Sequence, residues 1–348
     1  MYFERDTANF RYMKLLGNGI TNVACQVRYR HRWWRYHKPG QVFVVKRPFL
    51  PQSEEALQNE ISALQMLRGS MHIVQPFFLN DGVRNPLAEL PGPTIFMEYL
   101  HGGSIHQFAA RYQQHTNIPM PNRLLWRILM CLVRACIGLA YPQRKTTPGV
   151  VLEQIPADYP QRDNPENWMH GDMHGNNILW GDYQPDDLDH ALTPTLKLID
   201  LERFRQGEEP EGGRFPGAEM NLHEASGSIL SCIIRTQADK AYNVKVPGRA
   251  AAFHSYALLP ASQYPNLDRE LADLVTEMCA CDPAWAPRLV EMYERTYAGL
   301  QKGANYYVNF PHGERETDDF IKNLCREWLL EPDPEGPARA PIAGHSSS

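Results

Sequence analysis

The sequence predicts an α+β chain in two lobes: a small antiparallel sheet carrying one helix, then a larger and mainly helical part. Three observations carry this reading. Runs of β-branched and aromatic residues of strand length occupy the stretch before Gly102-Gly103, one amphipathic segment interrupts them, and from Ser104 onward the apolar spacing becomes helical. A chain of 348 residues also suits two units, at roughly 150 residues each.

In order, "YMKLLGNGITNVACQVRYR" reads as strand, glycine turn at Gly17 and Gly19, and strand, and "GQVFVVKRPF" adds a third strand. "EEALQNEISALQMLRG" places Leu57, Ile61, Leu64 and Leu67 at helical spacing and stops at Gly69. "PTIFMEYL" is a further strand. The pair Gly102-Gly103 has the character of a hinge. Beyond it lie five helices: "IHQFAARYQQ", "RLLWRILMCLVRACIGLAY", "EMNLHEASGSILSCIIR", "LDRELADLVTEMCA" and "PRLVEMYERTYAGL". The expected lobes are therefore 1–102 and 103–330. The proline-rich tail 331–348 is poor in apolar residues and is expected to be disordered. The 143–167 segment, the acidic "GDYQPDDLDHALTP" and "QGEEPEGGRFPG" read as insertions or loops, with the Asp186-Asp187-Asp189 run solvated.

Composition narrows the function classes. With 35 Lys and Arg against 40 Asp and Glu, the net charge of −5 offers no general attraction to nucleic acid or to an anionic membrane. "RYRHRWWRYHKPG" interleaves basic and aromatic residues as a stacking surface would, but its place between two strands reads as a loop. The seven cysteines are scattered and form no matched Cys-x-x-Cys pairs, which suits a reducing compartment. Arg127 and Arg134 interrupt the longest apolar run, making it a core helix rather than a membrane span. Charges in "MYFERDTANF" leave no room for the apolar run of a signal peptide. A cytoplasmic protein with neither nucleic-acid nor membrane partner is the expectation.

The stretch "HGDMHGNNILW", from His170 to Trp180, admits three readings: a zinc site built on His170, Asp172 and His174, a phosphoryl-transfer loop, or a polar turn. Two histidines four apart would share a helical face. Gly171 and Gly175 oppose that helix, each costing about 1 kcal/mol relative to alanine, and favour an irregular loop entering a short strand. Other residues decide between the readings. Gly17 and Gly19 lie at a strand turn, where absent side chains let backbone amides approach a phosphate. Lys46 closes the apolar strand "VFVVK", and Glu60 lies among the apolar positions of its helix, where a carboxylate needs a cation; Lys46 is the obvious one. Asp172 and Asn177 stand at the interval of a catalytic base and a magnesium ligand in phosphoryl transfer. Asp200 ends the apolar strand "LKLID", a good place from which to hold a cation.

Taken in order, these motifs resemble the protein-kinase-like superfamily from about residue 10 to 330. "LGNG" is similar to its glycine-rich loop, "FVVK" to its lysine strand, "NEISALQMLRGSMHIV" to its glutamate helix and "IFMEYLHGGS" to its adenine-holding hinge. "HGDMHGNNIL" resembles the His-Gly-Asp catalytic loop of aminoglycoside and choline kinases, and "LADLVTEMCACDPAWAPRLVEM" the helical end of eukaryotic protein kinases. The resemblance implies a bilobal kinase-like fold and transfer of the γ-phosphate of ATP, with Mg2+, to a hydroxyl acceptor, protein serine or threonine slightly ahead of a small molecule. It implies that Asp172 orients the acceptor and takes its proton, that Asn177 and Asp200 bind Mg2+, and that His174 lies near the γ-phosphate. Lys46, held by Glu60, would grip the α and β phosphates, with Met97 as gatekeeper and Glu98 in the hinge. His170 would support the loop.

Several positions depart from the family pattern. Asn22 replaces the third glycine, Gly171 the arginine before the catalytic aspartate, and Leu201-Glu202 the Phe-Gly after Asp200. These departures leave a second reading open, a pseudokinase that binds nucleotide or partners without turnover.

Overall fold

In the computed structural model the described residues are 10–18, 21–29, 41–77, 92–147, 149–157, 165–184, 186–207, 216–235 and 240–329. Gly19, most of the basic and aromatic cluster, the middle of "QGEEPEGGRFPG" and the expected tail lie outside them. The chain is α+β: one four-stranded antiparallel sheet, three two-stranded pairs and seven α-helices among the described residues.

The sheet runs in chain order through β1 (Phe10–Asn18), β2 (Asn22–Tyr29), β3 (Val42–Pro48) and β4 (Ile95–Glu98). Its side chains alternate between two apolar faces. Phe43 and Val45 join Phe10, Val27 and Tyr29 in a small core of their own. Val44, Ile95 and Met97 point the other way, into the main core. The registers Val44 to Met97 and Lys46 to Ile95 put Lys46 on that second face.

Helix α1 (Glu54–Met66) follows β3. Its first turn carries Glu54 and Glu55, which suit the positive end of the helix dipole, and it buries Leu57, Glu60, Ala63 and Leu64. Helix α2 (Ile105–His115) opens with a capping box: Gln107 N donates to Ser104 Oγ, and Ser104 N donates to Gln107 Oε1, each at 3.1 Å. Helix α3 (Asn122–Ala140) is buried along almost its whole length and is the axis of the helical part. Packed on it are α4 (Pro216–Ile233) and α6 (Leu289–Leu300), with α5 (Arg269–Met278) against both of these. No helix among the described residues is long and apolar enough to cross a membrane. All seven cysteines are free thiols.

Two small ribbons complete the site's scaffold. β5 (Trp168–Met169) pairs with β8 (Arg205–Gln206), and β6 (Ile178–Trp180) pairs with β7 (Leu196–Leu198), all antiparallel.

Three readings of the sequence need correction. Gly102 is no free pivot: its N–H donates to the Trp180 carbonyl at 3.1 Å, Trp180 N–H returns a bond to Gly103 O at 2.9 Å, and any Cβ on Gly102 would collide with the Trp180 side chain. Close packing, not flexibility, demands the glycine. The acidic insertion between β6 and β7 is solvated only in part: Asp186 is exposed, but Asp189 and His190 are buried. Asp189 is held there by Arg134 of α3 at 2.7 Å, so the arginine that breaks the apolar helix is the partner of an aspartate that looked solvated. Finally, α7 (Asp318–Trp328) and the hairpin of β9 (Tyr242–Val244) with β10 (Phe253–Ser255) were not anticipated.

Candidate active site

Three segments meet at Lys46. Its stem is packed in the apolar face of β3, leaving the residue 8% exposed, and Nζ reaches Glu60 Oε2 and Asp200 Oδ1 at 2.7 Å each. Glu60, on the buried side of α1, is only 1% exposed. Burial alone would push the Lys46 ammonium down, but Glu60 and then Asp200 outweigh it and hold the group above its ordinary value. The lysine is therefore a fixed cation between two carboxylates.

Asp200 follows β7 with φ 63° and ψ 73°, in the left-handed region. For a residue with a Cβ that conformation costs about 1–2 kcal/mol. It is held by β7 on one side and by the 3-10 turn Leu201–Arg203, which packs on α1, on the other. This backbone turn is what places the carboxylate on Lys46.

The loop from His170 to Asn177 is fastened from below. His170 N–H donates to Asn221 Oδ1 at 2.9 Å, and Asn221 Nδ2 donates to Trp168 O at 2.8 Å, so α4 holds the loop's entry. The buried His170 ring is bonded at both nitrogens: Nδ1 accepts the Asp172 N–H at 3.1 Å, and Nε2 faces the Ile199 carbonyl at 2.9 Å. That pairing requires the neutral ring with its proton on Nε2, and burial keeps its pKa below the ordinary value. Gly171, at φ 76°, makes the turn between His170 and Asp172.

Asn177 ties the loop to the Asp200 segment. Its Nδ2 donates to the Asp172 carbonyl at 3.0 Å and to Asp172 Oδ2 at 3.3 Å, while its own carbonyl accepts the Ile199 N–H at 2.9 Å. With the amide nitrogen so used, the amide oxygen is the group that can bind a cation. It and the Asp200 carboxylate are hard oxygen donors on two segments joined beside them, a set that fits Mg2+. Asp172 is partly exposed; Arg203 Nη1 lies 3.8 Å and His174 Nε2 3.6 Å from its Oδ1.

The remaining predicted residues are placed as follows. Gly17 sits in β1 beside a register shift, exposed, and a Cβ built on it would meet nothing within 4 Å among the described residues, so no contact there explains the glycine. Met97 is buried opposite Val44. The Glu98 N–H donates to the Gln75 carbonyl at 3.0 Å, and its carboxylate receives Lys197 Nζ at 2.6 Å and the Gln75 N–H at 2.8 Å. Glu98 is thus an anchor for β4 through its side chain. His170, Asp172 and His174 do not converge as zinc ligands, since both His170 nitrogens face backbone groups and His174 is largely exposed. A separate cleft of about 270 Å³, lined by Tyr112, Met120, Arg235 and Tyr264 among others, contains none of these residues.

No family model matches this chain, and no curated protein matches it. The site therefore rests on its own geometry.

Three residues of that geometry have contacts that the sequence does not assign. Glu202 accepts from Thr21 Oγ1 at 2.6 Å and from Asn22 Nδ2 at 3.3 Å, joining the start of β2 to the segment after Asp200. Arg203 brings a cation to Asp172. Lys197, buried on β7, pins Glu98. Only Lys197 carried a local signal, a lysine between two apolar residues of a buried strand.

Proposed function

We propose that this chain is a phosphotransferase with a bilobal, protein-kinase-like fold, which transfers the γ-phosphate of ATP to a hydroxyl acceptor. The observation that carries this reading is the convergence of Lys46, Glu60 and Asp200 from strand, helix and loop, with Asn177 fastened to the residue before Asp200. Phosphoryl transfer is catalysed mainly by positioning and electrostatics, which is what a rigid lysine between carboxylates and a second oxygen donor supply.

In this reading Lys46 holds the α and β phosphate oxygens, with Gly17 at the exposed strand edge leaving backbone room for the triphosphate. Asn177 and Asp200 hold Mg2+, which when bound neutralises phosphate charge. Asp172 orients the acceptor and takes its hydroxyl proton as the acceptor oxygen bonds to the γ-phosphorus and the bond to the β–γ bridging oxygen breaks, releasing ADP. Arg203 and His174, on the same side of Asp172, are placed to meet an anionic phosphoryl group. The acceptor is a protein serine or threonine ahead of a small molecule. Apolar packing of Met97 with Val44 lines the region where an adenine would sit.

One observation favours a second reading, a silent nucleotide- or partner-binding module: Asp200 gives an oxygen directly to Lys46. The test is transfer of labelled phosphate from ATP with Mg2+ to protein and metabolite panels, by wild type, Asp172→Ala and Asp200→Ala. Label in a product made only by wild type supports the enzyme. Equal background in all three selects the binding module.

A further inference from the structure

Outside the Lys46 cluster, three buried side chains from distant parts of the chain come together. His72 follows α1, Cys131 lies on α3, and His190 belongs to the acidic insertion. Their ligand atoms lie within 4.8 Å of one another. Nε2 of His72 and Nε2 of His190 are 3.0 Å apart, and Cys131 Sγ is 3.4 Å from His190 Nε2.

The far side of each ring makes this more than crowding. His72 Nδ1 is 2.7 Å from Glu153 Oε2, and His190 Nδ1 is 3.2 Å from Asp187 Oδ2. A carboxylate only accepts, so each Nδ1 must carry the proton, and in a neutral ring each Nε2 then presents a lone pair. Two lone pairs facing each other at hydrogen-bond distance repel unless a shared proton or a metal cation lies between them. Carboxylates on the outer nitrogens are also how metal-binding histidines are oriented and made more basic.

We propose that His72 Nε2, His190 Nε2 and Cys131 Sγ bind one Zn2+ ion as a buried structural site. Bonds of about 2.0–2.1 Å to nitrogen and about 2.3 Å to sulfur separate tetrahedral ligand atoms by roughly 3.3–3.6 Å, a small expansion of the pairs now at 3.0 and 3.4 Å, with the third pair inside the 4.8 Å bound. Imidazole and thiolate together suit zinc rather than magnesium or calcium. Charge agrees. Glu153, Asp187 and Asp189 outnumber Arg127 and Arg134 by one negative charge in the hydrogen-bonded surroundings, and a zinc thiolate with two neutral imidazoles carries one positive charge.

The consequence is structural. Zinc would clamp the acidic insertion and the loop after α1 to α3. The same loop holds β7, since the His72 carbonyl accepts the Leu198 N–H at 2.8 Å, two residues before Asp200. The site stands independently of the phosphotransferase reading.

The experiment is metal analysis of the purified full chain after a chelator wash, followed by X-ray absorption at the zinc edge. Expected are one zinc per chain and a shell of one sulfur with two imidazole nitrogens and one further light atom. Replacing zinc by Co2+ should give a thiolate-to-cobalt charge-transfer band, lost in Cys131→Ser and kept in the exposed control Cys281→Ser. Asp187→Asn, which leaves all three ligands in place, should weaken zinc binding by about 10- to 100-fold. Less than a tenth of a zinc per chain in wild type, with no uptake when the reduced chain is titrated with micromolar Zn2+, would overturn the proposal and leave a shared proton between the two rings. A sulfur-free shell would overturn it equally.

Discussion

Asn22 and Glu202, 180 residues apart in the chain, meet through a 3.3 Å hydrogen bond beside the stronger one from Thr21. In the proposed kinase-like reading both positions depart from the family pattern, and the two departures touch. A carboxylate where that pattern has glycine fastens the start of β2, an inner strand of the sheet, to the segment carrying Asp200. Glu202→Ala should free that strand end. Losing two partly buried, charge-assisted hydrogen bonds, from Thr21 and Asn22, costs about 1–2 kcal/mol, equivalent to a rise in the KM for ATP of roughly 5- to 30-fold. Steady-state kinetics with varied ATP measures it; an unchanged KM would mean that the contact does not bear on nucleotide.

Lys46→Met tests the central cluster. Removing the ammonium leaves the buried Glu60 carboxylate without its cation, which should destabilise the fold by about 3 kcal/mol and abolish transfer. Adding Glu60→Leu removes the stranded charge as well. The double variant should recover most of the stability in urea unfolding while remaining inactive, which separates folding from catalysis.

How far the sequence was readable follows the range of each signal. The strands and most helices announce themselves through local periodicity, and Asp172 and Asn177 lie in one loop, five residues apart, where the spacing can be read locally. Helix α7 also carries local signals, since Thr317 caps it and Ile321, Leu324 and Cys325 form its buried side. Long-range pairing was illegible: an aspartate-rich insertion looks solvated until Arg134 and Arg127 are known to reach it. Likewise His72 and His190 are 118 residues apart, so no ligand spacing reveals them. Glu202 and Arg203 gained meaning only when the turn after Asp200 brought them to Asn22 and Asp172.

Gly171 is fixed by its backbone. At φ 76° an alanine would be strained, and its Cβ would also press on the Arg203 carbonyl and the Arg205 guanidinium. The arginine can move, the carbonyl cannot easily. Gly171→Ala should therefore cost about 1–2 kcal/mol of stability, with a further loss of transfer because the strain falls on Asp172. Thermal unfolding and turnover measured together check this, and a variant as stable as wild type would remove the steric account.

Protonation of His170 should set an acid limit on the site. Burial lowers its pKa from 6.5, the Ile199 carbonyl opposing this, and a second ring proton would displace the Asp172 N–H from Nδ1. The unfolded chain takes up that proton near 6.5 and the folded chain only at lower pH. The neutral ring's contribution is thus complete above 6.5, declines as pH falls below it, and is gone once pH passes the folded value, at a slope of up to about 1.4 kcal/mol per pH unit. His170→Gln keeps an acceptor and a donor but cannot titrate. Between pH 6.5 and 5 its urea midpoint should fall less steeply than that of wild type, and wild-type turnover should decline over the same range. Parallel slopes in the two proteins would assign the acid limit to other groups.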